Sequence, residues 1–82
     1  MPAVTLRYFA AAREAAGTGR EVAEGATVAE VLALASTRHG DRFALVVAAS
    51  RVWVNGEPVP AESPLAEGDE VAVLPPVSGG SD

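Results

Sequence analysis

Gly79 and Gly80 have the greatest chemical potential in this chain; they follow Pro75-Pro76-Val77-Ser78 and precede Ser81-Asp82. Glycine has no Cβ, so a diglycine can thread a narrow channel in another protein and take φ values that other residues avoid. The prolines fix φ and donate no amide hydrogen, so a strand arriving there ends and the rest projects from the domain. Such an extension offers a main-chain carboxylate or peptide bond to a foreign active site. This pattern predicts a folded domain over residues 1–76 and a flexible, diglycine-bearing tail over 77–82.

Other residues with chemical promise offer less. Gly17-Thr18-Gly19 looks like part of a phosphate loop, but no Lys and no following helix accompany it, and it reads as a turn. Glu67, Asp69 and Glu70 lack the ligand spacing of a calcium loop and read as a solvated turn. His39 is the single histidine; it falls at a predicted helix end, where its charge would favour the C-terminal dipole. It is too isolated to serve a serine as general base. Cysteine is absent, which removes thiolate catalysis, disulfides and Cys-based zinc sites. The reading is of a non-catalytic protein with no cofactor and no metal of its own.

With 82 residues the chain supports one domain with a thin core. Its formal net charge is −5, and every basic residue is an arginine (Arg7, Arg13, Arg20, Arg38, Arg42, Arg51). Nucleic acid is excluded as a partner, because phosphate neutralisation needs a basic face; a basic protein would be steered toward this one. Without lysine the chain offers no side-chain amine for self-modification. No apolar run reaches the roughly 20 residues of a membrane span, and no signal-peptide pattern opens the chain, so no membrane partner and a cytoplasmic location are expected.

The elements that must position the tail can be read from periodicity. Ala3 to Phe9 alternates as a strand, with Val4, Leu6 and Tyr8 on one face and Thr5, Arg7 and Phe9 on the other. Ala10 to Ala16 is a short helical run ended by Gly17, followed by a strand near Arg20 to Ala23. Thr27-Val28-Ala29-Glu30 is a capping box. Val28, Val31, Leu32 and Ala35 then form a buried stripe that stops by His39-Gly40. Asp41 is placed to cap another short helix carrying Leu45, Val46 and Ala49. Arg51 to Val54 returns to strand and closes on Asn55-Gly56; Pro58 to Pro60 is a poor edge strand, and Glu67-Gly68-Asp69 turns into a last strand, Glu70 to Leu74. The order describes an α+β domain: a mixed sheet of about five short strands with one main helix packed across one face. Alternation leaves the strand order open.

If the helix covers the Val/Leu face, Phe9, Trp53 and Leu74 lie on the other side of the sheet. An exposed apolar cluster of that kind on a small domain marks a partner interface; the alternative for Trp53 is that its ring folds over the sheet edge as ordinary packing.

Leu6-Arg7-Tyr8-Phe9-Ala10 with Arg13-Glu14 and Gly17, Gly25-Ala26-Thr27-Val28-Ala29-Glu30-Val31-Leu32, Val54-Asn55-Gly56, Pro64-Leu65 with Gly68-Asp69-Glu70-Val71, and Pro75-Pro76-Val77-Ser78-Gly79-Gly80 together resemble the small-subunit family of molybdopterin synthase, ubiquitin-like sulfur carriers, nearly end to end. Thiamine-pathway carriers share the diglycine but are usually shorter and lack the Tyr-Phe-Ala and Arg-Glu segment, where carriers for cysteine synthesis also match less well. The resemblance implies a β-grasp fold. It implies two partners: an ATP-dependent activating enzyme that adenylates Gly80, and a large catalytic subunit that takes sulfur from the Gly80 thiocarboxylate to build the dithiolene of molybdopterin from cyclic pyranopterin monophosphate. Gly79, Ser78 and Val77 would be recognised along the tail. In that family the second glycine is normally terminal, whereas here Ser81-Asp82 follow and mask the Gly80 carboxylate. Either a tail-trimming protease removes them, or they were added for expression, or the protein has left the sulfur pathway. The alternative roles are a carrier for thiamine or cysteine synthesis, or a ubiquitin-like modifier or docking module.

Overall fold

The computed structural model describes residues 1–75. Its elements run β1 Ala3–Tyr8, α1 Ala10–Ala16, β2 Arg20–Glu24, α2 Val28–His39, α3 Asp41–Ala48, β3 Arg51–Val54, β4 Glu57–Pro58 and β5 Glu70–Leu74. The sheet order is β2-β1-β5-β3-β4. Every pairing is antiparallel except that of β1 with β5, which is parallel. The first and last strands therefore lie side by side in the middle of the sheet, and both end at the same edge of the domain. Chain leaving β5 starts from the sheet's centre, beside the end of β1.

The alternation in β1 sorts as the sequence predicts: Val4, Leu6 and Tyr8 are buried and meet Val71 and Val73 of β5 beneath the helices. The α2 stripe of Val28, Val31, Leu32 and Ala35 covers them. Each large aliphatic side chain so buried is worth about 1.5–3 kcal/mol. At the start of α2 the Thr27 hydroxyl accepts from the Glu30 amide at 3.2 Å. The Glu30 carboxylate reaches back to the Ala26 amide at 2.9 Å, one residue before the position a standard box would choose.

Three sequence readings need correction. Phe9 is not the last residue of β1 but the N-cap of α1, with extended dihedrals, because Ala10 turns the chain at φ 51°. Asp41 opens α3 without capping it; Gly40 holds the cap position and no side chain bonds there. Of the residues that α3 carries, Phe43 is buried and Leu45 is 74% exposed. The short edge strand is Glu57–Pro58 rather than Pro58 to Pro60. It pairs with β3 across the predicted Asn55-Gly56 turn, whose residues have φ 51° and 87°, the positive pair that a tight hairpin requires. Beyond α2, the helical layer also contains α3, which packs on both α1 and α2.

Candidate functional site

The predicted interface residues come together through strand register. Arg7 of β1, Ala72 of β5, Trp53 of β3 and Pro58 of β4 stand opposite one another in a row across the outer face. The next row follows from Leu74 opposite Arg51 and from Phe9, one step beyond the Tyr8–Val73 pair, whose amide bonds the Val73 carbonyl at 3.2 Å. Phe9 is 37% exposed, and the Arg7 guanidinium sits 5.5 Å from its ring centroid, a cation–π contact that holds the ring on this face. Trp53 and Leu74 are half-buried, so the patch is a shallow apolar surface rather than projecting rings.

Phe9 also lines a mostly apolar groove of about 190 Å³ with Ala12, Val46, Ala49 and Pro75. The groove lies where β1 and β5 end, at the root of the tail. Val77, Ser78, Gly79, Gly80, Ser81 and Asp82, the tail positions singled out from sequence, lie outside the described residues.

Val22 is an outer-face residue that the sequence reading missed; it lies opposite Thr5 and is 61% exposed. Arg20, across from Arg7, and Arg51 put cationic side chains on the same face despite the acidic net charge. Arg7 pairs with Glu70 at 3.2 Å.

The other candidates are spent on structure. The Glu67 carboxylate accepts from the Ala3 amide at 2.9 Å. Asp69 accepts from the Ala66 amide at 2.8 Å and from Asn55 at 2.9 Å, and these two bonds, the Ala66 amide first, hold its carboxyl below the usual range. Gly17 ends α1 in the left-handed conformation, and the Thr18 hydroxyl bonds the Arg20 backbone, so Gly17-Thr18-Gly19 is a turn. Among the described residues no three His, Asp or Glu side chains gather as metal ligands, and no helix is long and apolar enough to cross a membrane.

His39 is more than a helix-end charge. Its ring packs against Phe43 at 5.0 Å and Tyr8 at 6.1 Å between centroids, and Nε2 lies 2.6 Å from the Glu21 carboxylate. Glu21 also accepts from the Tyr8 hydroxyl and from Arg38 at 3.2 Å. Burial alone would raise the Glu21 carboxyl; the bonds from Tyr8, His39 and Arg38 outweigh it and hold the group below the ordinary range. Burial first, and then the Glu21 carboxylate, push the Tyr8 hydroxyl far above the usual phenol range, so it remains a donor. The cluster locks β2 to the end of α2.

A model of the ThiS family matches residues 6–80. The molybdopterin synthase sulfur carrier subunit of Escherichia coli (strain K12) is 38% identical over 80 residues, which span 94% of this chain and 99% of that one. Among solved structures, a protein described as molybdopterin converting factor subunit 1 from Pyrococcus furiosus superposes with a TM-score of 0.83 at 33% identity, covering 94% of this chain and all of the other. The small archaeal modifier protein 1 of Methanosarcina acetivorans gives a TM-score of 0.81 at 29% identity over 98% of each chain. These neighbours carry the ubiquitin-like β-grasp fold described above.

Proposed function

This chain belongs to the ThiS family, and on that premise we propose that it is the sulfur carrier of a molybdopterin synthase, with the carboxyl of Gly80 as its working group. The observation that carries the reading is positional. The parallel pairing of β1 with β5 sets Phe9, Leu74 and the root of the tail at one end of the sheet. A partner seated on the outer face therefore receives the diglycine beside its own contact surface. Docking and delivery become one event, and the reacting atom arrives tethered rather than by diffusion.

A free carboxylate is a poor electrophile. In the proposed sequence an activating enzyme joins the Gly80 carboxylate to the α-phosphorus of ATP and releases pyrophosphate. Sulfide from the sulfur source then attacks the acyl carbon, AMP leaves with the electrons of the broken acyl–oxygen bond, and Gly80 is left as a thiocarboxylate. The large synthase subunit accepts that sulfur into the dithiolene of molybdopterin and supplies the catalytic side chains. All of this takes place in the cytoplasm. Ser81 and Asp82 follow Gly80, so the Gly80 carboxyl is freed only when that peptide bond is cut, which makes a trimming protease a third partner.

The test is intact mass after incubation with the activating enzyme, ATP and a sulfur source. Protein ending at Gly80 gains sulfur in place of one oxygen, and protein retaining Ser81-Asp82 does not. Sulfur on Asp82, or synthase activity with a tail that resists cleavage, refutes the reading. The likeness to small archaeal modifier protein 1 favours a second reading, in which the adenylated Gly80 is taken by a lysine of a target. An isopeptide-linked adduct in place of the thiocarboxylate is its signature.

A further inference from the structure

Strand β2 forms one edge of the sheet, and its outward backbone groups show how that edge is kept from pairing. In an antiparallel ladder, residues that exchange bonds with the neighbour alternate with residues whose N–H and C=O point away. Tyr8 bonds Gly19, and Gly25 bonds Pro2, which fixes the phase. Glu21 and Ala23 face β1, while Arg20, Val22 and Glu24 present their backbone groups to the free edge.

That edge is self-complementary. If β2 of a second copy lay antiparallel with Val22 opposite Val22, Arg20 of each copy would stand opposite Glu24 of the other. The outward groups of Val22 would bond each other across the two-fold axis. Apolar contact at the centre and opposite charges on both flanks are what an isologous strand pair requires, and Val22 is already exposed.

Two side chains occupy the groups this pairing needs. The Thr18 hydroxyl donates to the Arg20 carbonyl at 3.0 Å and accepts from the Arg20 amide at 3.3 Å. Arg38 reaches from α2 over the edge and donates to the Val22 carbonyl at 2.9 Å while bonding Glu21. At the opposite edge β4 is only Glu57–Pro58, and Pro58 has no amide hydrogen to donate.

We propose that Thr18 and Arg38 are edge guards that keep the carrier from pairing with a second copy of itself through β2. A sheet extended by self-pairing would tie up the strand that flanks the outer face, so the guards keep single chains available to partners.

The experiment is sedimentation over a concentration series combined with amide exchange at Val22, on the full chain. Wild type stays at the mass of one chain at every concentration. Thr18→Ala/Arg38→Ala forms a dimer within the concentration range where wild type is a single chain, since freeing the edge restores ladder bonds worth on the order of tenfold in affinity, and the Val22 amide becomes protected. Adding Val22→Lys returns it to one chain. A folded double variant that stays monomeric overturns the proposal, as does association that leaves Val22 unprotected or survives Val22→Lys, or wild-type pairing through β2. Arg38 also braces Glu21, so Thr18→Ala alone serves if the double variant does not fold. The Thr18 hydroxyl bonds only the Arg20 backbone among the described residues, and this single change must still raise self-association several-fold; no rise overturns the proposal.

Discussion

His39 Nε2 lies 2.6 Å from the carboxylate of Glu21, joining the last residue of α2 to edge strand β2, with the Tyr8 hydroxyl on the same carboxylate oxygen. Because Glu21 titrates below its ordinary range in the folded chain, its contribution to stability is complete above the usual carboxylate range and is lost as pH falls through that range toward the folded value. Glu21→Gln should therefore lower stability at pH 7 by about 1–2 kcal/mol, the scale of a lost charge-assisted bond at a partly exposed site. It should also flatten the acid limb of the stability curve below about pH 4.5. Urea titrations at a series of pH values measure both; an unchanged acid limb would show that Glu21 is not the group lost on acidification.

Phe43→Ala and Leu45→Ala separate the two faces of α3. Phe43 is fully buried and stacks edge-on against Tyr8 at 5.1 Å, so its truncation should cost about 3–5 kcal/mol, enough to unfold much of a domain this small. Leu45, at 74% exposure, should change stability by less than about 0.5 kcal/mol. Thermal unfolding of the two variants decides the point, and a costly Leu45→Ala would mean that α3 sits with the other face inward.

That pair also shows where sequence reasoning stops. The inward face of β1 and the α2 stripe were legible because each has enough repeats of its period to choose a face. The eight residues of α3 make little more than two turns, and both Phe43 and Leu45 are plausible cores until the positions of α1 and α2 are known. The Glu21 cluster was invisible for a different reason. Tyr8 and His39 are 13 and 18 residues from Glu21, and only the β1–β2 register and the length of α2 bring them together. The outer patch was legible because Arg7, Trp53 and Leu74 follow strand alternation. Phe9 follows it too, because its own dihedrals are extended, although the left-handed turn at Ala10 ends the strand before it.

Gly25→Ala should destabilise the start of α2. A Cβ there would stand 2.9 Å from Val31 Cγ1, 3.1 Å from Glu30 Cβ and 3.2 Å from the Val31 amide nitrogen. The backbone neighbour cannot rotate away, and Val31 is itself fully buried. Overpacking of this kind costs about 1–3 kcal/mol, and it should loosen the Glu30 bond to the Ala26 amide. Denaturant unfolding with exchange at Ala26 checks both; an unperturbed midpoint would mean that the β2–α2 corner yields without cost.

Phe9→Ala and Leu74→Ala should leave the domain folded and weaken its hold on the large synthase subunit. Both side chains sit on the outer face, in the row nearest the tail, and neither belongs to the buried core. An interface anchor of this size typically accounts for about 1–3 kcal/mol of binding, roughly tenfold to a hundredfold in Kd. Leu45→Ala removes a more exposed leucine from the helical side and should bind as wild type does. Losing Phe9 also frees Arg7 from its cation–π contact, so part of that loss should depend on salt, whereas the Leu74 loss should not. Calorimetric titration at two ionic strengths, with unfolding curves on the same samples, separates the contributions. Unchanged affinity with a collapsed thermal transition would place Phe9 and Leu74 in the core and move the docking surface elsewhere.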